Sequence, residues 1–175
     1  EFNPSASNKA RIYLVSDQSD LEGALNGYFI QLGNTDDEVS LYRQTGMTIT
    51  EIIDGADDLL NESNVEVLVK ATRDTDGNWE LLADTSLNYT FVSQGNVQDT
   101  THQASQYFGV LCQYTSTRSD KFYFDDFIIT GNAYLDNESP EVLSAMATSA
   151  NTLNVTFNEP LDQTSAETLA NYSVS

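Results

Sequence analysis

Residues 120–131 read DKFYFDDFIITG, a dense run of aromatic and β-branched residues interrupted by two adjacent aspartates. This composition is typical of a β-strand, and the Gly-Asn pair that follows is a turn signal. Strand alternation places apolar side chains on both faces of the stretch. It is therefore predicted to be a central strand that is covered on both sides.

Asp125 and Asp126 interrupt this apolar pattern. Burying a carboxylate without a partner is very costly. An aspartate inside a covered strand would therefore need a backbone N–H group, an arginine or a metal ion beside it. The residues alone leave these three partners open.

The composition limits the classes of partner. The chain has 175 residues, of which 39% are hydrophobic, and a formal net charge of −20 with only seven basic residues. This charge argues against nucleic acids and anionic membranes as partners. It is compatible with Ca²⁺ binding, with high-salt surroundings or with a solvated acidic surface. No apolar run is long enough for a transmembrane helix, and no signal peptide is visible.

Working outward from residues 120–131, we find about nine short strand-like segments, with turn signals about eight to twelve residues apart. The Asp-Gly pair within residues 75–78 predicts a tight hairpin, whereas the polar residues 94–105 are expected to form a loop. No segment has a sustained helical period. The pattern predicts an all-β antiparallel sandwich or jelly roll. The segments are residues 10–16, 28–32, 39–44, 47–53, 65–74, 79–84, 89–93, 107–114 and 120–131.

A domain boundary is predicted near residues 132–140, where turn formers precede Pro140. We assign residues 1–134 to the sandwich and residues 135–175 to the opening of a second domain. The second segment has three strand-like pieces and a possible short helix that begins at Ser165. It is too short to close a sandwich, which needs about 100 residues.

Four stretches together resemble a concanavalin-A-like, laminin-G-like jelly-roll module. They are KARIYLVSDQSDLEGALNGYF, VSLYRQTG, TRDTDGNWELLAD and YFGVLCQYTSTRSDKFYFDDF. The resemblance covers residues 8–131 and is carried mainly by DGNW and FYFDDF. The group in question occurs in large secreted bacterial proteins that also carry lamin-tail and immunoglobulin-like modules. Residues 138–175, with TFNEPLD at 156–162, resemble the start of a bacterial immunoglobulin-like module.

The resemblance implies a secreted or cell-surface location, with other modules of the same longer chain as partners. Modules of this group begin well before the first strand seen here. We therefore expect this sandwich to lack one or more N-terminal strands and to have an unpaired edge.

Calcium is the one cofactor that the sequence suggests. Relatives of the concanavalin type often carry this ion near a sheet edge, and loop carboxylates could hold it if the loops converge. The pairs chosen as candidates are Asp17 with Asp20 and Asp36 with Asp37. The acidic residues near 74–78 are explained more simply by the hairpin turn.

A carbohydrate site would need exposed rings and side chains that bond hydroxyl groups. Tyr13, Gln31, Tyr42 and Gln113 lie opposite the more apolar residues of their strands, so we expect them to line one exposed sheet face.

Arginines are conspicuous among so few basic residues. Arg43 and Arg118 either contact a ligand or pair with neighbouring acids such as Asp125. Pairing is preferred for Arg73, and a core position is preferred for Trp79.

Catalysis is not indicated. No strand carries the Glu-x-Asp-x-x-Glu pattern of jelly-roll glucanases, and Glu51 stands alone on its strand. The single cysteine, Cys112, lies in an apolar strand and is expected to be a core residue, and nothing ties it to the single histidine, His102.

The sequence thus predicts a non-catalytic module, with carbohydrate as its expected ligand. The alternatives are a structural spacer in a surface adhesin and a relative of glycoside hydrolases or lyases.

Overall fold

The computed structural model describes residues 4–131, 139–159 and 161–171. The chain divides into two compact units, residues 1–129 and residues 130–175. The boundary predicted between residues 134 and 135 lies outside the described residues, so it stays a prediction.

Antiparallel strands dominate the described residues. The larger unit contains β1 (Lys9–Ser16), β2 (Leu25–Gly33), β3 (Val39–Gly46), β4 (Thr48–Ile53), β5 (Leu68–Arg73), β6 (Asn78–Asp84), β7 (Val92–Gln98), β8 (Tyr107–Gln113) and a 3₁₀ turn (Ser116–Arg118). The smaller unit contains β9 (Val142–Ser149), β10 (Thr152–Phe157), the short helix α1 (Gln163–Ala166) and a 3₁₀ turn (Leu169–Asn171). Within the described ranges, no helix is long and apolar enough to cross a membrane.

The larger unit is built from two antiparallel sheets. Five strands form one sheet in the order β4-β3-β2-β1-β8, and three form the other in the order β5-β6-β7. The predicted hairpin at residues 75–78 is confirmed, because Gly77 takes the left-handed φ of 79° that favours glycine and joins β5 to β6.

The two sheets share one hydrophobic core. Apolar residues of β1 to β4 cluster with those of β6, and the ring of Tyr28 packs 4.8 Å from that of Trp79. Trp79 is therefore the core residue that was expected. The core residues contributed by the two sheets include Ala10, Ile30, Leu41 and Ile53 on one side and Trp79, Leu81 and Ala83 on the other. The all-β class with antiparallel sheets is confirmed.

The prediction of a central strand at residues 120–131 is wrong. Apart from a turn at its start, the segment has no regular structure, and Tyr123 and Ile128 are 84% and 86% exposed. A strand needs a neighbour for its backbone hydrogen bonds, and no strand of the described ranges pairs with this segment. Asp126 has a positive φ of 53°, which interrupts the alternation of faces.

The segment contacts β8 and the residue that follows it through aromatic rings. Phe122 lies 6.0 Å from Tyr114, and Phe127 lies 5.3 Å from Phe108, measured between ring centroids. Because Asp125 and Asp126 are exposed, the buried carboxylate that the sequence implied does not arise.

The loop predicted at residues 94–105 is also partly wrong, because β7 runs from Val92 to Gln98. Its composition is polar, yet the strand pairs with β6 along its length. Gly95 allows this close packing, since a Cβ atom there would lie 2.7 Å from Cγ2 of Ile53. Pairing and close approach to the core outweigh the low strand propensity of the sequence.

The smaller unit contains the antiparallel hairpin of β9 and β10, as its two strand-like pieces predicted. Its short helix does not begin at Ser165. Asp162 caps the helix instead, and its side chain accepts a hydrogen bond from the Ser165 backbone N–H. Residues 172–175 of the third strand-like piece lie outside the described ranges.

Candidate functional site

Four of the predicted carbohydrate residues, Tyr13, Gln31, Tyr42 and Gln113, share one face of the five-stranded sheet, whereas Arg43 pairs with Tyr28 and lies on the opposite face. Register pairs Tyr13 with Phe29 and Phe29 with Tyr42, so these rings lie side by side. Gln31 pairs with Arg11, and Gln113 pairs with Lys9. Arg11 and Lys9 precede Tyr13 by two and four residues, so Gln31 and Gln113 lie on the same face as Tyr13. We call this face, which is opposite to the core, the outer face.

The expected exposure of the outer face is wrong for Tyr13 and Gln31, which are both buried. The ring of Phe29 packs 4.8 Å from that of Tyr13 and 5.2 Å from that of Tyr42, forming a second apolar cluster. Leu21, from the loop after β1, packs on this cluster. The Tyr13 hydroxyl donates to Oε1 of Gln44 at 2.9 Å. The ring of Tyr13 is thus enclosed rather than presented to solvent.

Three carboxylates meet where β3 and β4 form one edge of this sheet. Glu38, Glu51 and Asp54 each have a carboxylate oxygen within 4.8 Å of the others, and we call them the carboxylate cluster. Glu38 is only 2% exposed, whereas Glu51 and Asp54 are exposed.

A β-bulge explains how the cluster forms. Tyr42 pairs with Glu51 and Leu41 pairs with Ile53, so Ile52 is an extra residue in β4. Glu51 and Asp54 are three residues apart, and regular alternation would put them on opposite faces. The extra residue brings both to the outer face, where Glu38 already lies by alternation with Tyr42.

Electrostatics at the cluster reflect burial and like charge. The pKa of Glu38 is raised to about 7, mainly by burial and in addition by a hydrogen bond to Asp54 and by repulsion from Glu51 and Asp54. A hydrogen bond to Ser40 acts in the opposite direction. Burial, followed by the hydrogen bond to Glu51, also raises the pKa of the Tyr42 hydroxyl.

The four aspartates chosen from the sequence as calcium ligands are not part of this cluster. Asp17 accepts hydrogen bonds from the backbone N–H and the side-chain amide of Asn26, at 2.7 and 2.9 Å. Asp20 accepts from the backbone N–H of Glu22 at 3.0 Å.

Asp36 and Asp37 meet the loop after β4. Their backbone carbonyls accept from the N–H groups of Asp58 at 2.8 Å and Leu60 at 2.6 Å. Burial and then the charges of Asp58 and Asp36 raise the pKa of Asp37. Metal binding by the four predicted aspartates stays a prediction.

The arginines have different environments. Arg43 pairs with Asp99, with Nη1 at 2.5 Å from Oδ2, and its Nη1 also donates to Thr101. Arg118 ends the 3₁₀ turn after β8, where its backbone N–H donates to the Thr115 carbonyl. Arg73 stacks on the rings of Tyr28 and Trp79 and donates to the backbone carbonyl of Asp99 instead of to an acid side chain.

Cys112 and His102 occupy separate environments. Cys112 is half-buried in β8 opposite Ala10, and burial raises the pKa of its thiol. The Nε2 atom of His102 lies 3.0 Å from the Thr45 hydroxyl.

Exposed rings gather along β8 and the segment that follows it. Phe108, Phe124 and Phe127 form a chain of ring contacts, at 5.3 Å and 6.4 Å between centroids. Tyr114, directly after β8, and Tyr123, next to Phe124 in the sequence, are also exposed. We call these five rings the aromatic surface. Sequence reasoning missed it because it placed residues 120–131 inside the sandwich.

A third feature is a polar depression of about 520 Å³ on the three-stranded sheet. Thr72, Glu80 and Asn96 form one row across its strands by register. Trp79, which is almost completely buried, is the one aromatic residue that lines it.

Comparison with known proteins does not place this chain in a family, since no protein-family model, curated protein or solved structure matches it.

Proposed function

We propose that this chain is a non-catalytic, carbohydrate-binding module of a larger secreted or cell-surface protein. The observation that carries this proposal is the aromatic surface. Five rings are exposed on two adjacent segments, although aromatic side chains are normally buried in a core or an interface. The concanavalin-like jelly roll remains our proposal for the finer fold.

The chemistry of this surface suits a sugar better than an apolar ligand. Sugar rings stack their C–H faces on aromatic rings, and their hydroxyl groups need hydrogen-bond acceptors nearby. Asp120, Asp125 and Asp126 lie exposed on the same segment as Tyr123 and supply carboxylate acceptors. A purely apolar partner that covered this surface would remove water from these carboxylates without supplying a hydrogen-bond donor.

The test is a glycan-array screen followed by calorimetry with the glycans that bind. Tyr123→Ala is expected to weaken binding at least tenfold, because the ring is 84% exposed and its loss removes a stacking platform. The matched control is Tyr89→Ala, which removes a tyrosine that is 76% exposed in the loop before β7.

The outcomes separate the competing roles. Glycan binding that is lost in Tyr123→Ala and kept in Tyr89→Ala supports the proposal. Equal binding by both variants would move the site away from the aromatic surface. No binding by folded protein would favour the structural spacer.

A glycoside hydrolase is the less favoured alternative. The carboxylate cluster does bring acids together, as such an enzyme requires. However, Glu38, the cluster member with the raised pKa that a general acid needs, is 2% exposed and cannot reach a glycosidic oxygen without rearrangement. We therefore expect no release of reducing sugar from any glycan that the module binds.

A further inference from the structure

We propose that the carboxylate cluster of Glu38, Glu51 and Asp54 binds a divalent cation, with Ca²⁺ as the ion that fits best. This site is separate from the four aspartates suggested by the sequence and from the aromatic surface. The proposal rests on the convergence of three carboxylates and on the buried Oε2 atom of Glu38.

The unsatisfied carboxylate of Glu38 is the second line of evidence, after the convergence of the three side chains. Its Oε2 atom is buried and has no hydrogen-bond partner among the described residues. Its carboxylate has an oxygen within 4.8 Å of carboxylate oxygens of Glu51 and Asp54. A buried carboxylate oxygen without a donor is costly, and two neighbouring carboxylates increase that cost. A cation between the three groups would remove both penalties.

Three cations of the chain contact groups outside the cluster. Arg11, which lies on the outer face, donates to Oε1 of Gln31 at 3.1 Å and stacks over the ring of Phe29. Arg43 pairs with Asp99 and Lys121 pairs with Asp120. Neither pair includes a cluster member, so these two cations do not balance the charge of Glu38.

The donor set favours calcium over magnesium. Calcium takes six to eight oxygen ligands in a flexible geometry, whereas magnesium demands near-ideal octahedral geometry and keeps several of its waters. Three carboxylates whose oxygens lie within 4.8 Å of one another supply several protein oxygens to one ion, which suits calcium. Because Glu51 and Asp54 are exposed, water can complete the six to eight ligands of the ion.

The test uses metal-free protein without glycan, so its result does not depend on the carbohydrate proposal. Calorimetry with CaCl₂ in a buffer of physiological ionic strength should give saturable binding of one ion. The same ion should raise the thermal midpoint of unfolding. The variant Glu38→Gln should lose this calcium-induced rise. Without calcium it should unfold at a higher temperature than wild type, because the neutral amide removes a buried charge.

Two further variants make the result decisive. Glu51→Gln changes an exposed ligand and should weaken calcium binding at least tenfold even if Glu38→Gln does not fold. The matched control, Glu80→Gln, neutralises an exposed glutamate on β6 and should bind calcium as wild type does.

Some results would overturn the proposal. Equal calcium responses in wild type, Glu38→Gln and Glu51→Gln would mean that the ion binds elsewhere on the acidic surface. The absence of saturable heat at millimolar calcium would mean that the cluster is not a cation site. A response to Mg²⁺ as strong as that to Ca²⁺ would overturn the choice of calcium.

Discussion

Asp99 connects the two sheets of the larger unit, and its removal should have a measurable cost. It follows β7, and its Oδ1 accepts from the hydroxyl of Tyr28 at 2.6 Å and from the N–H of Thr101 at 2.9 Å. Its Oδ2 accepts from Nη1 of Arg43 at 2.5 Å. The carboxylate is almost completely buried. We expect Asp99→Asn to lower the free energy of unfolding. We also expect the variant's free energy of unfolding to fall less than that of wild type as the pH is lowered.

The pKa of Asp99 gives the magnitude. Burial alone would raise this pKa, but the hydrogen bonds from Tyr28, Thr101 and Arg43 outweigh burial and lower the pKa from 3.8 to about 2. At about 1.4 kcal/mol per pKa unit, this shift corresponds to roughly 2 to 3 kcal/mol of stability.

The sign follows from linkage. Because the folded pKa is below the unfolded one, the stabilisation is complete above about pH 5 and is lost as the pH falls through about 2. Asp99→Asn should therefore be roughly 2 to 3 kcal/mol less stable than wild type near pH 7 and nearly equal to it near pH 2.

Urea unfolding, followed by the fluorescence of Trp79, measures this difference at several pH values. Comparing the two proteins at each pH cancels the contribution of the other carboxylates. Asp57→Asn, which changes an exposed aspartate in the loop after β4, is the control and should stay within about 0.5 kcal/mol of wild type. A difference between Asp99→Asn and wild type that does not shrink with acid would refute the assigned role of the carboxylate.

Two other positions allow simple tests. Gly27→Ala should lose about 2 kcal/mol or more in urea unfolding, because a Cβ atom there would lie 2.0 Å from the Val15 carbonyl oxygen. Gly131→Ala should be neutral, because no atom of the described residues lies within 4 Å of a Cβ atom added there, and an equal loss in both variants would exclude the close contact as the cause. Cys112 should react with a disulfide reagent at least about tenfold more slowly in folded than in urea-unfolded protein, because burial raises the pKa of its thiol. Equal rates would show that β8 does not protect it.

The strands of the sandwich could be predicted where residue alternation and turn residues agree. β3, β4 and β6 were predicted as strand-like segments at residues 39–44, 47–53 and 79–84 between turn signals, and the hairpin at Gly77 follows from its Asp-Gly pair. Residues 120–131 could not be placed, because strand propensity is a local property whereas a strand requires a neighbour. The same limit hid β7, whose polar residues are held by pairing with β6.

The carboxylate cluster could not be predicted from the sequence, and the reason is geometric. A bulge at Ile52 changes which residues share a face, and the residues around it carry no sign of the bulge. Glu51 therefore looked isolated, although Glu38 and Asp54 lie beside it. The sequence predicted which tyrosine and glutamine side chains share the outer face, but it did not predict that some of them are buried. Their burial depends on Leu21, which packs over the rings from a loop.

The exposed segment at residues 120–131 has a consequence for the solubility of the protein at high concentration. The window FYFDDFII has high β-propensity and no proline, the composition of segments that self-associate into cross-β aggregates. Asp125 and Asp126 break its apolar run with two negative charges, so stacked copies would bring like charges together. These two aspartates therefore act as gatekeepers, which let the chain keep an aromatic surface in water while opposing the assembly that such a surface favours.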